Sequence, residues 1–332
     1  MTNFIIFNFI LLILFGGGYI VNNCRVNYQF FDFSHTTILK AIGAILVLWG
    51  HVALVNGVHG VQFIAGTGVT LFLICSGYGL EESLKKNGLA NFWKKKIFNV
   101  IIPYYIICLA GYLINHFSID EFSPEQILSI LFFQSQWYIN FLLVNYIIFY
   151  LVYRLINNSK KRIFVFAVVY IVWFFVDSLF FASATAPFLR ARQMGAFISG
   201  IAISKTKTTS EKNISSSYFI ILNMIIGIIF MGLTNSYLVN EMSIIVSNFL
   251  SLFTVVPLAY AVIGITLRNK KIFENYFLFF CGTISYEMFL IHSYSLSLTI
   301  SNYYLIIVFT IFVFGLSYIF NNIYKKIKER YL

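Results

Sequence analysis

Lys40 and His51 stand eleven residues apart in the apolar segment Ile38-Leu39-Lys40-Ala41-Ile42-Gly43-Ala44-Ile45-Leu46-Val47-Leu48-Trp49-Gly50-His51. At about 100° per residue, that spacing closes roughly three helical turns, so both side chains fall on one face. The rise of about 1.5 Å per residue separates them by about 16 Å, roughly half a bilayer core. An ammonium near the membrane edge with a titratable imidazole deeper in is the pattern of a transport path or an active site. Alone, the lysine is explained by snorkelling to the interface, and a lone membrane histidine by an interhelical hydrogen bond.

A second polar cluster lies near the end of the chain, in Cys281-Gly282-Thr283-Ile284-Ser285-Tyr286-Glu287-Met288-Phe289-Leu290-Ile291-His292. Ser285 and His292 are seven apart and share a helix face, while Glu287 projects elsewhere. Glu287 admits a structural reading as a neutral buried acid, and His292 as an interfacial residue. His35, His59 and His116 fall at span ends or in loops and are expected to be solvated. Lys94, Lys95 and Lys96 follow Trp93; they read either as an anchor at the membrane surface or as a cradle for an anionic donor. Arg190 and Arg192 run against the charge bias of the loops and are candidate contacts to a hydroxyl-rich or acidic acceptor. Trp137 is a candidate sugar platform, although an interfacial aromatic belt is the simpler account of it.

These residues must be positioned by membrane helices. Of 332 residues, 59% are hydrophobic and only 11% charged, against about 25% charged in soluble domains. Apolar runs long enough to span fall near 4–21, 37–56, 62–81, 97–116, 137–156, 161–177, 187–204, 216–234, 243–266, 277–297 and 301–323. In the 161–204 region, Ser183, Ala184, Thr185 and Pro187 mark a loop or a broken helix. With eleven spans, the lysine- and arginine-bearing loops and the tail (Lys325, Lys326, Lys328, Arg330) fall on one side, whereas Asp120, Glu121, Glu125, Asp177 and Glu241 fall on the other. The positive-inside rule then puts the C-terminus in the cytoplasm and the N-terminus outside. Lys40 lies at the inner face, and His51 and His292 lie at one depth in the outer half. The net charge of +11 is accounted for in the same way, and no nucleic acid is expected as a partner. Cys24, Cys75, Cys108 and Cys281 are scattered, so neither a metal site nor a redox pair is expected. The first span lacks a basic leader and a clear cleavage site, and reads as a retained helix. There is no Walker loop, HExxH, Gly-x-Ser-x-Gly or Rossmann signature.

The Lys40/His51 spacing and the following Ser76-Gly77-Tyr78-Gly79-Leu80 resemble the acyltransferase-3 family of integral membrane acyltransferases, in its cell-surface polysaccharide O-acetyltransferase type. Gln136-Trp137-Tyr138, Phe197-Ile198-Ser199-Gly200 and Ser285-Tyr286-(x)-(x)-Phe289-Leu290-Ile291-His292 match further family motifs in order. One departure stands out. Family members usually carry two arginines three apart before the proline of the third core helix; here Lys94 to Lys96 occupy the first position, and the second falls near Asn99 or Val100.

The resemblance implies an all-α polytopic membrane protein: residues 1–30 form an additional N-terminal transmembrane helix and loop, and residues 31–332 a ten-helix acyltransferase domain. It implies acyl transfer from cytosolic acetyl-CoA, a co-substrate rather than a bound cofactor, to a hydroxyl of an extracytoplasmic or lipid-linked glycan such as a capsular polysaccharide. On that expectation Lys40 and the Lys94, Lys95, Lys96 group attract donor phosphates, and Ser76 and Tyr78 line the donor channel. His51 is the general base or a transient acyl carrier. Ser285, Glu287, His292, Trp137, Arg190 and Arg192 support the site or contact the acceptor. The alternatives are a glycolipid transporter or flippase using His51 and Glu287 as a proton relay, and a non-catalytic envelope partner. The topology is tested by reporter fusions. A fluorescent protein at the C-terminus lights up in the cytoplasm and a phosphatase there stays inactive; the reverse pattern would overturn the orientation.

Overall fold

A computed structural model of the chain describes residues 2–21, 27–116, 123–181, 189–234 and 243–331. Cys24, Asp120, Glu121, Glu241, residues 183–187 and the His116 side chain lie outside what is described. The protein is an all-α polytopic membrane protein, 85% helical, without strands among the described residues. Among those residues, nine helices are long and apolar enough to cross a membrane.

In chain order the helices are α1 (Thr2–Ile20), α2 (Phe33–Val55), α3 (Phe63–Asn87), α4 (Phe92–Lys96), α5 (Ile102–His116), α6 (Pro124–Leu131), α7 (Trp137–Leu155) and α8 (Ser159–Val176). They continue as α9 (Ala196–Lys205), α10 (Lys207–Ile214), α11 (Ser217–Thr234), α12 (Ile244–Arg268), α13 (Lys270–Phe273), α14 (Tyr276–Thr283), α15 (Ser285–Ile291), α16 (Leu298–Ser301) and α17 (Tyr303–Glu329). Two of the expected spans are not single helices. The 187–204 run gives a 3-10 turn (Ala191–Gln193) and the ten-residue α9, and the 277–297 run breaks into α14, α15 and a 3-10 turn at His292–Tyr294.

The break falls at Ile284, whose φ of −113° and ψ of 12° leave the helical region. A break inside a membrane survives only where the freed carbonyls find donors. Ser285 Oγ donates to Gly282 O at 2.9 Å, and Asn321 Nδ2 of α17 donates to Thr283 O at 3.3 Å. Nothing in the apolar run announces the interruption, because the rescuing amide comes from 38 residues downstream.

The chain divides into two compact units. The first comprises Met1–Ala65, Ala90–Asn140 and Lys271–Leu332, and the second Gly66–Leu89 and Phe141–Lys270. In the first unit, Asp32 caps α2 by accepting from His35 N at 2.7 Å and from Gln29 N at 2.8 Å. His35, expected to be solvated, is fully buried. Its ring lies parallel to Tyr28 with centroids 4.9 Å apart, and its Nδ1 accepts from Phe31 N at 3.0 Å. Burial, with Glu274 and Asp32 nearby, pushes the Tyr28 hydroxyl well above the ordinary phenol range, so the ring stays neutral beside His35. His59 is exposed as expected. Helix α1 is tied in by polar clamps: Trp49 Nε1 donates to Asn8 Oδ1 at 2.8 Å, and Asn275 Nδ2 donates to Phe15 O at 2.9 Å.

In the second unit, α3 and α9 cross at two glycines. A Cβ on Gly77 would lie 2.1 Å from Phe197 O, and one on Gly200 would lie 2.0 Å from Ile74 O. The Ser-Gly-Tyr motif and the aromatic-x-x-Gly motif are thus two sides of one backbone contact. Polar pairs stitch the same unit: Tyr153 donates to Glu81, Thr70 Oγ1 donates to Gln193 Oε1 at 2.7 Å, and Asn248 Nδ2 donates to Ser178 Oγ at 3.0 Å.

The first unit has its own close approach, where a Cβ on Gly282 would sit 2.1 Å from Thr37 O. Because the neighbour is backbone, a larger residue must push α14 off α2. Overpacking costs roughly 1–3 kcal/mol even against side chains. Gly282→Val is therefore expected to lower the thermal unfolding midpoint in detergent by several degrees or to abolish the folded yield. A variant of unchanged midpoint would refute the close packing.

Candidate active site

Helix α2 runs unbroken through Lys40 and His51, so both face the α14–α15 segment as their spacing requires. His51 is half-buried and His292 is buried. The two rings are nearly parallel, 15° apart, and His51 Nδ1 lies 2.7 Å from His292 Nε2. The equal depth expected of these residues thus takes the form of direct contact.

The hydrogen-bond pattern assigns the protons. His292 Nδ1 lies 3.1 Å from Met288 O, and a carbonyl only accepts, so Nδ1 carries a hydrogen. In a neutral His292 the Nε2 is then an acceptor, and His51 Nδ1 must donate to it. A neutral His51 consequently keeps its lone pair on Nε2, the nitrogen not engaged by His292. When Nε2 gains a proton or an acyl group, the charge on His51 stays hydrogen-bonded to His292. Around the pair, Phe289 stands 6.0 Å from the His292 ring and edge-on to Tyr138 at 4.9 Å. Gln136 Nε2 donates to Ser293 Oγ at 3.3 Å, so the Gln-Trp-Tyr step supports the turn that carries His292. Trp137 is half-buried beside Tyr138.

Lys40 belongs to a different cavity, of about 340 Å³, whose walls include Thr37, Asn99, Glu287, Asn321, Tyr324, Lys325 and Lys328. Glu287 Oε1 accepts from Asn321 Nδ2 at 3.0 Å and turns toward this cavity rather than toward the histidines. The residues expected to act together are therefore split between two places: an imidazole pair, and a chamber with lysine and carboxylate on its walls. A larger cavity of about 390 Å³, walled by residues such as Ile106, Ile114, Phe312 and Phe320, offers no charged group.

The backbone beside the Lys40 cavity is unusual. Residues Ile97–Ile101 form a π-helical turn between α4 and α5. Pro103 has no N–H for the carbonyl four residues earlier, that of Asn99, and its ring crowds that carbonyl in a regular helix; a widened turn relieves both problems. Two carbonyls of this turn are taken by distant tyrosines: Tyr324 hydroxyl donates to Phe98 O at 2.7 Å, and Tyr286 hydroxyl donates to Val100 O at 2.8 Å.

The remaining sequence-derived residues are placed as follows. Lys94, Lys95 and Lys96 do not line the Lys40 cavity; Lys94 is exposed, and Lys96 Nζ sits 5.7 Å from the Phe92 ring centroid. Ser285 is engaged at the helix break. Ser76 and Tyr78 belong to the second unit, where Ser76 hydrogen-bonds Tyr146 and Tyr78 is buried. Arg190, also in that unit, donates to Asp177 at 3.3 Å, and Arg192 is half-buried on the 3-10 turn. Sequence reasoning treated Lys325 and Lys328 only as tail charge and missed them as cavity residues; a helical repeat of three placing both beside Tyr324 was the available signal.

A family model described as an acyltransferase domain, that of the acyltransferase-3 family, matches residues 36–324. The chain belongs to that family and is a multi-pass membrane acyltransferase. No curated protein and no solved structure matches it.

Removing either tyrosine hydroxyl takes one hydrogen bond from a carbonyl of the π turn, at a cost of about 0.5–1.5 kcal/mol. Tyr324→Phe and Tyr286→Phe are each expected to lower the unfolding midpoint in detergent. Unchanged midpoints in both would show that the turn does not depend on them.

Proposed function

We propose that the protein is a membrane O-acyltransferase that moves an acetyl group from cytosolic acetyl-CoA to a hydroxyl of an extracytoplasmic or lipid-linked glycan. A capsular or other cell-surface polysaccharide at the plasma membrane is the acceptor we favour. The observation that carries this reading is the chain of hydrogen bonds from Met288 O through His292 to His51, which leaves the His51 Nε2 lone pair available.

Two routes use that atom. As a base, Nε2 takes the proton of the acceptor hydroxyl while its oxygen forms a bond to the thioester carbonyl carbon. The carbon–sulfur bond then breaks, and the departing thiolate takes the proton back from Nε2. As a carrier, Nε2 itself bonds the carbonyl carbon and releases the thiolate; the acceptor oxygen then displaces the imidazole and yields its proton to the thiolate. In both routes His292 orients the ring and its Nε2 accepts from the charged His51. Lys40, with Lys94, Lys95 and Lys96 on the same flank of the membrane, attracts the donor, and Ser76 and Tyr78 line its path. Trp137, Arg190 and Arg192 serve the acceptor.

Glu287 turned away from His51 weighs against the proton-relay alternative, which calls for a carboxylate beside that imidazole. The test compares surface glycans from cells carrying the intact gene, a deletion and His51→Ala, by proton NMR of acetyl groups and by mass. His51→Ala is expected to lower transfer by roughly 10²–10⁴-fold with the protein still inserted. O-acetylation unchanged in the deletion would overturn the glycan reading, and O-acetylation lost only in the deletion would overturn the role of His51.

A further inference from the structure

Three lysines line the 340 Å³ cavity: Lys40 from α2, and Lys325 and Lys328 from α17. None forms an ion pair with a described residue, and Lys40 and Lys325 have no hydrogen-bond partner among the described residues. Lys328 donates instead to a neutral group, Asn99 Oδ1, at 2.9 Å. An ammonium has three donors, so this contact fixes the direction of Lys328 and leaves two hydrogens free. Asn99 is itself held in place by the π turn, whose flanking carbonyls are pinned by Tyr324 and Tyr286.

Two carboxylates also reach the cavity wall. Glu329 is exposed, and Glu287 is buried and hydrogen-bonded to Asn321, with Lys40 and Lys328 both near enough to act on it electrostatically. Glu287 forms no ion pair with any of the three lysines. A diphosphate, with several oxygens around a compact centre, suits lysines that act as point charges.

We propose that Lys328, aimed by Asn99, and its neighbour Lys325 bind, together with Lys40, the diphosphate of the acyl donor. The C-terminal helix thereby supplies a cation to the wall that carries Asn99. The assignment rests on the donor being an acyl-CoA.

The experiment measures binding of free coenzyme A and of inorganic pyrophosphate to the purified full-length protein in nanodiscs. Thermal unfolding is recorded for every variant. Loss of a charge-assisted contact of about 1.5–3 kcal/mol corresponds to roughly tenfold to hundredfold in affinity. Lys328→Ala is expected to weaken coenzyme A by at least about tenfold, and Lys328→Arg to stay within a few-fold of wild type. In the Lys328→Ala background, Asn99→Arg is expected to restore binding, because the cation returns from the other wall. A merely structural lysine would give no such rescue. Undiminished coenzyme A binding by Lys328→Ala, or loss that neither arginine variant repairs, overturns the assignment while leaving the acyltransferase reading intact. Failure of the wild-type protein to bind coenzyme A, with pyrophosphate still held through Lys328, overturns the donor reading and keeps the anion site. Binding of neither ligand overturns both.

Discussion

The backbone-to-backbone approach of α14 to α2 is the constraint on which the rest of the first unit depends. Gly282 lets Thr37 O come so near that any side chain would occupy the same space. From that contact, α2 and α15 diverge little enough for His51 Nδ1 and His292 Nε2 to meet at hydrogen-bond distance. The same contact edges the Lys40 cavity, since Thr37 and Gly282 both belong to its wall. One small residue therefore sets the spacing of both chemical sites, about 16 Å apart along α2. In a bilayer interior there is no water to fill a widened gap or to satisfy an imidazole that has lost its partner.

What was legible in the sequence is what depends on local periodicity. The shared face of Lys40 and His51 follows from the helical repeat, and so does the placement of Ser285 and His292 along one segment. The long apolar runs marked nine of the helices because hydrocarbon selects for length and composition alone. The structure adds the features set by partners distant in sequence. Ile284 is as apolar as its neighbours, yet the helix breaks there because Asn321 and Ser285 take the freed carbonyls. His35 looked like a residue at a helix end. It is sealed by Tyr28 and by the Phe31 amide, and Phe31 has a φ of 51° that no periodicity foretells.

Charge was legible as a sum and not as a set of positions. The positive-inside rule treats every tail lysine alike, so Lys325 and Lys328 were indistinguishable from Lys326 and Arg330. The structure separates them: the first two line the cavity, whereas Lys326 and Arg330 do not. The family pattern similarly directed attention to Lys94, Lys95 and Lys96, which stand before the π turn and do not line the cavity.

That turn has a further consequence, in the arithmetic of helical register. A single π turn holds one more residue than an α turn, so it is geometrically an insertion of one residue into an otherwise continuous helix. Side chains before Ile97 are rotated by about 100° relative to those after Ile101, compared with a regular helix. Spacing rules that cross this point, such as two basic residues three apart, do not describe one face here. A relative lacking the turn would present a different set of residues to the same cavity from an almost identical sequence. Gain or loss of one residue between 97 and 101 is therefore a compact way for such a chain to exchange the side chains facing that cavity without disturbing either flanking helix.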